Sequence, residues 1–305
     1  MLTIYTPVFN ASKYISLTIQ SVLNQTFSDW EYLIYDDGST DNTKDIVHKF
    51  IEKDKRIKYK YFENTANPAL LRNYALKDGL GEWFANLDAD DIWHPLRLEI
   101  QFNIISKSNL NSIVFSKCKF FKNPPSELNI DELYEYLEIS KITDTANVSY
   151  KKISNSSLLN GNYIMNSSSL VSKKVYNEIG LLDDNINLRG IEDFEFWLRA
   201  ACNEFELYEV QECLAFWRQH DGNISNERPY EKEQNIVDMI KKAKKCKDMK
   251  IEKKFAHYYM MSFLNFSIKR KMVQEKKSLG RILKFIYARI DFTIFIILNK
   301  LSIFN

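Results

Sequence analysis

Along the first ninety residues, short apolar runs alternate with stretches whose apolar residues recur every three or four positions. Leu2-Thr3-Ile4-Tyr5-Thr6 is a compact apolar run stopped by Pro7, the pattern of a buried strand. Ile15, Ile19, Val22 and Leu23 then form a helical stripe between Tyr14 and Asn24. Glu31 to Tyr35 reads as a second strand, and Ile46, Val47, Phe50 and Ile51 mark a second helix. Ile57 to Phe62, Ala69 to Lys77 and Trp83 to Leu87 continue as strand, helix, strand. This alternation predicts an α/β fold, a Rossmann-like, mostly parallel sheet flanked by helices, with ligands outside the carboxyl ends of the strands. The polar motifs Thr6–Asn10, Asp36–Asp41 and Asp88–Asp91 all fall at such ends.

Further on the pattern is less regular. Ile113 to Phe121 is another strand, and the polar stretch from Lys122 to Ser157 holds Pro124-Pro125 and a helical patch from Asp131 to Glu138. It reads as a variable insertion near the mouth of the site. Asn160-Gly161-Asn162 and Asn166-Ser167-Ser168-Ser169 are expected to line a pocket for a second substrate, and Lys173 to Ile179 a helix capped by Gly180. From Pro229 onward the pattern is helical and basic.

A chain of 305 residues with 45% hydrophobic content can bury a large core and suggests about two domains. Cys118, Cys202, Cys213 and Cys246 are widely spaced, which reads as reduced core cysteines rather than a disulfide frame or zinc site. Met1 runs directly into a strand pattern, so no signal peptide is expected, and the apolar run Phe292–Leu298 is far too short to span a bilayer.

The net charge of +2 hides an asymmetry. Residues 227–305 carry 19 Lys and Arg against 8 Asp and Glu, whereas residues 1–226 carry 23 against 32. An acidic body suits a metal or polar-substrate site, and a basic tail suits an anionic surface. Lys241, Lys242, Lys244, Lys245 and Lys247 form one charged face, and Lys269-Arg270-Lys271 another. Leu279 to Asn305 interleaves Arg281, Lys284, Arg289 and Lys300 with Ile282, Phe285, Ile290 and Phe295. Two readings stand: a helical appendage packed on the body, or an interfacial segment on anionic lipid. Nucleic acid is not an expected partner, because the charge sits on a tail without a nucleic-acid module.

The densest chemistry is Leu87-Asp88-Ala89-Asp90-Asp91, three carboxylates in four residues after an apolar run. Unpaired, such acids raise one another's pKa. A divalent cation removes the conflict, and hard carboxylate oxygens suit Mg²⁺ or Mn²⁺ bound to a phosphate. The alternative is a solvated turn before Ile92-Trp93-His94-Pro95. In Asp36-Asp37-Gly38-Ser39-Thr40-Asp41, Gly38 turns the chain and Ser39 or Asp41 caps the next helix, which leaves Asp36 and Asp37 unexplained. The loop lacks the repeated glycines of a phosphate cradle, so a carboxylate there suits a base N–H or a ribose hydroxyl.

Thr6-Pro7-Val8-Phe9-Asn10, Gln25-Thr26-Phe27, Asp36–Asp41 and Leu87–Asp91, in this order and spacing, resemble the nucleotide-binding half of a family 2 glycosyltransferase with the GT-A fold, of the inverting, bacterial surface-polysaccharide kind. The resemblance covers residues 1–115 and, more loosely, 160–225. It implies a nucleotide-diphosphate sugar site that includes Thr6 and Pro7. Phe9 would stack on the base, Asp37 accept its N–H, Arg72 sit near base or diphosphate, and Asp88 reach the ribose. Asp90 would hold Mn²⁺ or Mg²⁺ with Asp91 assisting, and His220, after Phe216-Trp217-Arg218-Gln219, would stand close to metal or diphosphate. A carboxylate accepting a ring N–H suits uracil and repels the cytosine lone pair, which favours UDP, with GDP as the minority option.

Arg189-Gly190-Ile191-Glu192-Asp193-Phe194 reads by itself as an acidic helix N-terminus. In the resembled family this Glu-Asp carries the catalytic base: Asp193 aligns with it, and Glu192 is the neighbour to test next. One base suffices when the leaving diphosphate is already neutralised, and a single displacement inverts the anomeric carbon. The expected organisation is residues 1–115 for the nucleotide sugar, 116–226 for acceptor and catalysis, and a helical C-terminal region 227–305. The expected activity is a metal-dependent inverting glycosyltransferase using a UDP-sugar on a glycan or lipid-linked glycan, at the cytoplasmic face of the plasma membrane. The rivals are a non-catalytic nucleotide-sugar-binding module, against which Asp90 and Asp193 together argue, and an Asp-based phosphotransferase, against which Asp91 argues.

Overall fold

Four strands open the chain and pair in parallel: β1 Leu2–Val8, β2 Trp30–Asp36, β3 Ile57–Tyr61 and β4 Trp83–Asn86. The computed structural model describes residues 1–107, 112–124 and 127–224. The expected basic helical region 227–305, with its Leu279–Asn305 segment and Cys246, lies outside them. Helices α1 Ile15–Leu23, α2 Thr43–Lys53 and α3 Pro68–Asp78 connect the strands, close to the spans predicted by periodicity. Ile15, Ile19 and Val22 of α1 are fully buried against Leu2, Ile4, Tyr32 and Ile34 in one core. Burying each such side chain contributes about 1.5–3 kcal/mol. Pro7 does not stop β1 but lies within it. Leu87 N–H donates to the Tyr5 carbonyl, so Tyr5 and Pro7 both face the β4 side, where β4 has ended by Asn86 and no ladder partner is lost.

The second half is mixed. In chain order it comprises β5 Ile92–Trp93, α4 Arg97–Lys107, β6 Ser112–Lys122, α5 Ile130–Tyr136, β7 Tyr150–Ile153, β8 Leu170–Ser172, α6 Lys173–Ile179, α7 Glu192–Cys202 and β9 Glu206–Gln219. The sheet runs β3-β2-β1-β4-β8-β6-β9-β5, with β7 beside β9. β8 is antiparallel to both β4 and β6, and β9 is parallel to β6. The sheet therefore passes unbroken through the 115/116 boundary, which falls inside β6; the two expected halves share one sheet. Asn129 and Glu132 form a capping box on α5, and Asn67 caps α3 ahead of Pro68. Gly180 ends α6 with φ +83°, as expected of a C-cap.

Cys118 and Cys213 are free thiols, as expected of reduced cysteines. Because β2, β1 and β4 are adjacent and in register (Val8 opposite Asp36, Tyr5 opposite Asn86), their carboxyl ends bring residues 6–10, 36–41 and 87–91 to one rim.

Candidate active site

At this rim the three acids of 88–91 are sorted by what surrounds them. Thr18 Oγ1 of α1 donates to the carbonyls of Ala89 (2.9 Å) and Asp91 (3.0 Å), fixing the turn. Asp88 accepts from Arg72 Nη2 and Asn86 Nδ2, each at 2.9 Å, and its N–H donates to Ser167 Oγ at 3.1 Å. Asp90 is half-buried; Arg218 Nε donates to its carbonyl at 2.9 Å. Asp91 is fully buried: Arg218 N–H donates to its Oδ1 at 3.1 Å and Ser167 Oγ to its Oδ2. Burial, and then the charges of Asp90 and Asp88, push its pKa well above the carboxylate range. Asp91 thus braces the turn, each of its oxygens accepting a hydrogen bond within the protein.

His220 meets Asp90 across the turn, with Nε2 2.8 Å from Oδ2. Gly222 N–H donates to His220 Nδ1 at 3.1 Å, so Nε2 carries the proton and donates to Asp90. Tyr14 stacks on the imidazole with centroids 4.7 Å apart, and Asn223 Oδ1 accepts the His220 N–H at 2.6 Å. One carboxylate and one imidazole thus converge on a point. Among the described residues no group of three His, Cys, Asp or Glu side chains forms a metal cage. Asp90 and His220 are the two side chains that would hold a Mg²⁺ or Mn²⁺, an ion that takes only one or two protein ligands when substrate phosphates and water complete its shell. Such an ion would replace the proton that His220 shares with Asp90.

Toward β1 and β2, Phe9 stands half-exposed at the strand end, outside the core and open to a planar ligand. Asp37 Oδ1 accepts from the Thr65 N–H (2.7 Å) and Oγ1 (2.8 Å), which fixes its orientation at the rim. Asp36 is structural: Ser39 N–H and Tyr59 OH both donate to it. The N-cap of α2 is Asn42 rather than Ser39 or Asp41; Asp41 accepts from the Thr43 N–H, and Ser39 Oγ accepts from the Asn10 N–H. Gly38 needs its freedom, with φ +80° and the Asn64 backbone N 2.8 Å from where a Cβ would lie. Thr6, expected in the nucleotide site, is wholly buried; its hydroxyl donates to the Leu87 carbonyl and bonds Tyr32 OH, tying β1 to β4. Pro7 beside it is partly buried within β1.

Arg72 is buried and bonds Asn86 Oδ1 through Nε (3.1 Å), Asp88 through Nη2 and Glu192 Oε1 through Nη1. These bonds join the end of β4 to the start of α7 and hold the guanidinium beside Asp88 at the rim. Glu192 is buried and also accepts from the Gly190 N–H, so each of its oxygens holds a bond within the protein. Asp193, its neighbour, is half-buried at the first turn of α7. Phe194 N–H donates to Oδ1 at 2.7 Å and Asn162 Nδ2 to Oδ2 at 3.2 Å. Burial and the adjacent Glu192 charge push its pKa up to about 6, outweighing Arg72 and the two donors.

Asn162 therefore reaches the site, as the reading of the 160–162 loop expects. The run 166–169 is buried, and Ser167 braces Asp88 and Asp91. Arg218, Tyr14, Asn223 and Ser167 support the site but carry no assignment from sequence. For Arg218 the available signal was its place between Trp217 and His220 in an aromatic-flanked segment.

With this geometry in hand, comparison identifies the class. The model of "Glycosyl transferase family 2" matches residues 3–180, and the chain belongs to that family. It is a glycosyltransferase. It is 28% identical over 228 residues, 75% of this chain and 82% of the relative, to a putative teichuronic acid biosynthesis glycosyltransferase, TuaG, of Bacillus subtilis. It is 42% identical over 111 residues, 36% of this chain but only 43% of the relative, to WfgD of Escherichia coli, a UDP-Glc:alpha-D-GlcNAc-diphosphoundecaprenol beta-1,3-glucosyltransferase. Among solved structures, S. aureus TarS 1–349 in complex with UDP-GlcNAc superposes with TM-score 0.63 over 90% of this chain and 76% of that one. At 18% identity this likeness concerns the fold.

Proposed function

We propose that this chain is a metal-dependent, inverting transferase that moves a sugar from a UDP-sugar to a hydroxyl of a lipid-linked glycan during cell-surface polysaccharide synthesis. The observation that carries the reading is Asp193, a carboxylate with pKa near 6. One guanidinium joins its neighbour Glu192 to Asp88 at the nucleotide rim. A base of that pKa is largely ionised at neutral pH yet takes a proton readily.

In this reading the half-exposed Phe9 would cover the base, and Asp37, oriented by Thr65, would accept the uracil ring N–H. The half-buried Asp88 would reach the ribose hydroxyls. Asp90 and His220 are the residues that would hold Mn²⁺ or Mg²⁺, which when bound supplies charge neutralisation for the departing diphosphate. In the transfer, the acceptor oxygen bonds to the anomeric carbon as the carbon–diphosphate oxygen bond breaks. Asp193 takes the acceptor proton, and attack from the face opposite the diphosphate inverts the centre. A UDP-Glc donor and a diphosphoundecaprenol acceptor in the name of WfgD, and UDP-GlcNAc in the TarS complex, support this donor and acceptor class. Among the described residues no helix is long and apolar enough to cross a membrane. Work at the cytoplasmic membrane face would rest on the basic region 227–305, whose charge suits anionic lipid.

A thermal-shift series tests the donor. UDP with Mn²⁺ should raise the Tm well above CDP or ADP with Mn²⁺; a ligand at about 100 times its Kd adds about 2.7 kcal/mol. The largest shift from GDP would overturn the uracil assignment, and equal shifts with and without Mn²⁺ would overturn the metal role.

A further inference from the structure

Two aromatic side chains at the carboxyl ends of β6 and β9 take no part in the chemistry described above. Phe120 of β6 is 53% exposed, and Trp217 of β9, directly opposite it in register, is half-buried. Their rings meet edge to face, with centroids 5.0 Å apart. Strand alternation fixes which way they point. The next pair, Phe121 and Arg218, turns to the opposite face, where Phe121 packs with Ile130, Leu133 and Phe216. The preceding pair on their own face, Cys118 and Ala215, packs into the main core, with the Cys118 side chain close to Ser168.

Phe120 and Trp217 therefore project from the face on which the 166–168 turn sits, one pleat nearer the carboxyl ends. That turn supplies Ser167 to Asp88 and Asp91, and the segment leading into it supplies Asn162 to Asp193. Trp217 is also only three residues from His220, roughly 10 Å along a strand. Exposed Lys122 and Gln219 form the next pair outward on the same face.

We propose that Phe120 and Trp217 form a carbohydrate platform that holds a pyranose ring of the acceptor glycan. A pyranose presents a face of C–H bonds that lies against an aromatic ring, while its rim of hydroxyls needs polar partners. The aromatic pair supplies the first and the Lys122–Gln219 pair the second. Both pairs stand at the carboxyl ends of β6 and β9, the same end of the sheet as the Asp88–Asp91 turn that β9 reaches through Arg218 and His220. This inference deepens the transferase reading and rests on it.

The test uses the full chain and saturation-transfer NMR with cellotetraose, chitotetraose and maltotetraose as probes. At least one tetrasaccharide should bind. Phe120→Ala and Trp217→Ala should each weaken that binding about five- to tenfold, while Trp217→Phe retains most of it. Phe120 is exposed, so its truncation keeps the test valid if Trp217→Ala fails to fold. UDP–Mn²⁺ thermal shifts are measured on the same samples. Their persistence in the alanine variants supports an acceptor role, and their absence from the parent chain would instead sink the donor reading alone. No tetrasaccharide binding by the parent, or equal binding by parent and alanine variants, overturns the platform. So does loss of sedimentation with anionic phosphatidylglycerol vesicles in variants that still bind carbohydrate, which would make the pair a membrane contact.

Discussion

Two pairs of adjacent acids sit at this rim, Asp90–Asp91 after β4 and Glu192–Asp193 at the start of α7. In each, one member is buried with both oxygens spent on the protein, Asp91 and Glu192, and the other is half-buried, Asp90 and Asp193. The buried members differ in their partners. Asp91 is held by neutral donors, Ser167 Oγ and the Arg218 N–H, and its pKa rises with burial. Glu192 is held by the guanidinium of Arg72, and its charge helps lift Asp193 toward 6. One brace stands beside the proposed cation ligand without adding a cationic partner; the other raises the pKa of the proposed base. Adjacent carboxylates of the same type thus take separate roles through burial and partner alone.

The largest expected effect separates the half-buried members. Asp193→Asn should lower turnover by about 10²–10⁴-fold and leave UDP–Mn²⁺ binding nearly intact, because it removes a group that acts on the reacting hydroxyl. Asp90→Ala should instead abolish the Mn²⁺-dependent part of the UDP thermal shift. Near-normal turnover in Asp193→Asn would remove it as the base.

The braces themselves differ by a smaller amount, read in urea unfolding. Arg72→Met leaves Glu192 buried without its cation and should cost about 3–5 kcal/mol. Asp91→Asn should cost about 1 kcal/mol or less, since an amide can donate to Ser167 Oγ and still accept from the Arg218 N–H. Equal costs would show that the two braces are energetically alike and end the contrast. Adding Glu192→Gln to Arg72→Met should recover part of the loss, as expected of one coupled pair.

The positions of both acid pairs were legible in the sequence; the division of labour within them was not. Apolar runs and Asp-rich strand ends fix β1, β2 and β4 and hence the rim, because parallel strands buried on both faces must read as continuous apolar runs. Which acid is buried depends on residues remote in the chain. Ser167 lies 76 positions from Asp91, and Arg72 lies 120 from Glu192. No local pattern announces such partners. The same holds for Arg72 and Thr6, whose residue types suit a ligand as well as they suit the interior. In the second half, β8 is three residues long and β5 two, too short for periodicity to reveal. The antiparallel insertion of β8 between β4 and β6 was therefore invisible, although it is what carries Ser167 to the rim.

The smallest expected effect sharpens the account of Asp193. The active form of a base is the carboxylate, so the rate should fall as pH drops through about 6, tenfold per unit well below it. Asn162 Nδ2 donates to Asp193 Oδ2 and favours that carboxylate. Asn162→Ala removes the donor, so the pKa must rise and the acid limb of kcat must move to higher pH. A hydrogen bond worth about 0.5–1.5 kcal/mol corresponds to a shift of about 0.4–1 pH unit. The rate on the plateau above the limb should change little, because the base itself remains. A kcat–pH profile for the parent and Asn162→Ala measures both quantities. A limb that stays in place would mean that Asn162 does not act on the titrating group, and a limb that moves to lower pH would contradict the sign required of any donor to a carboxylate.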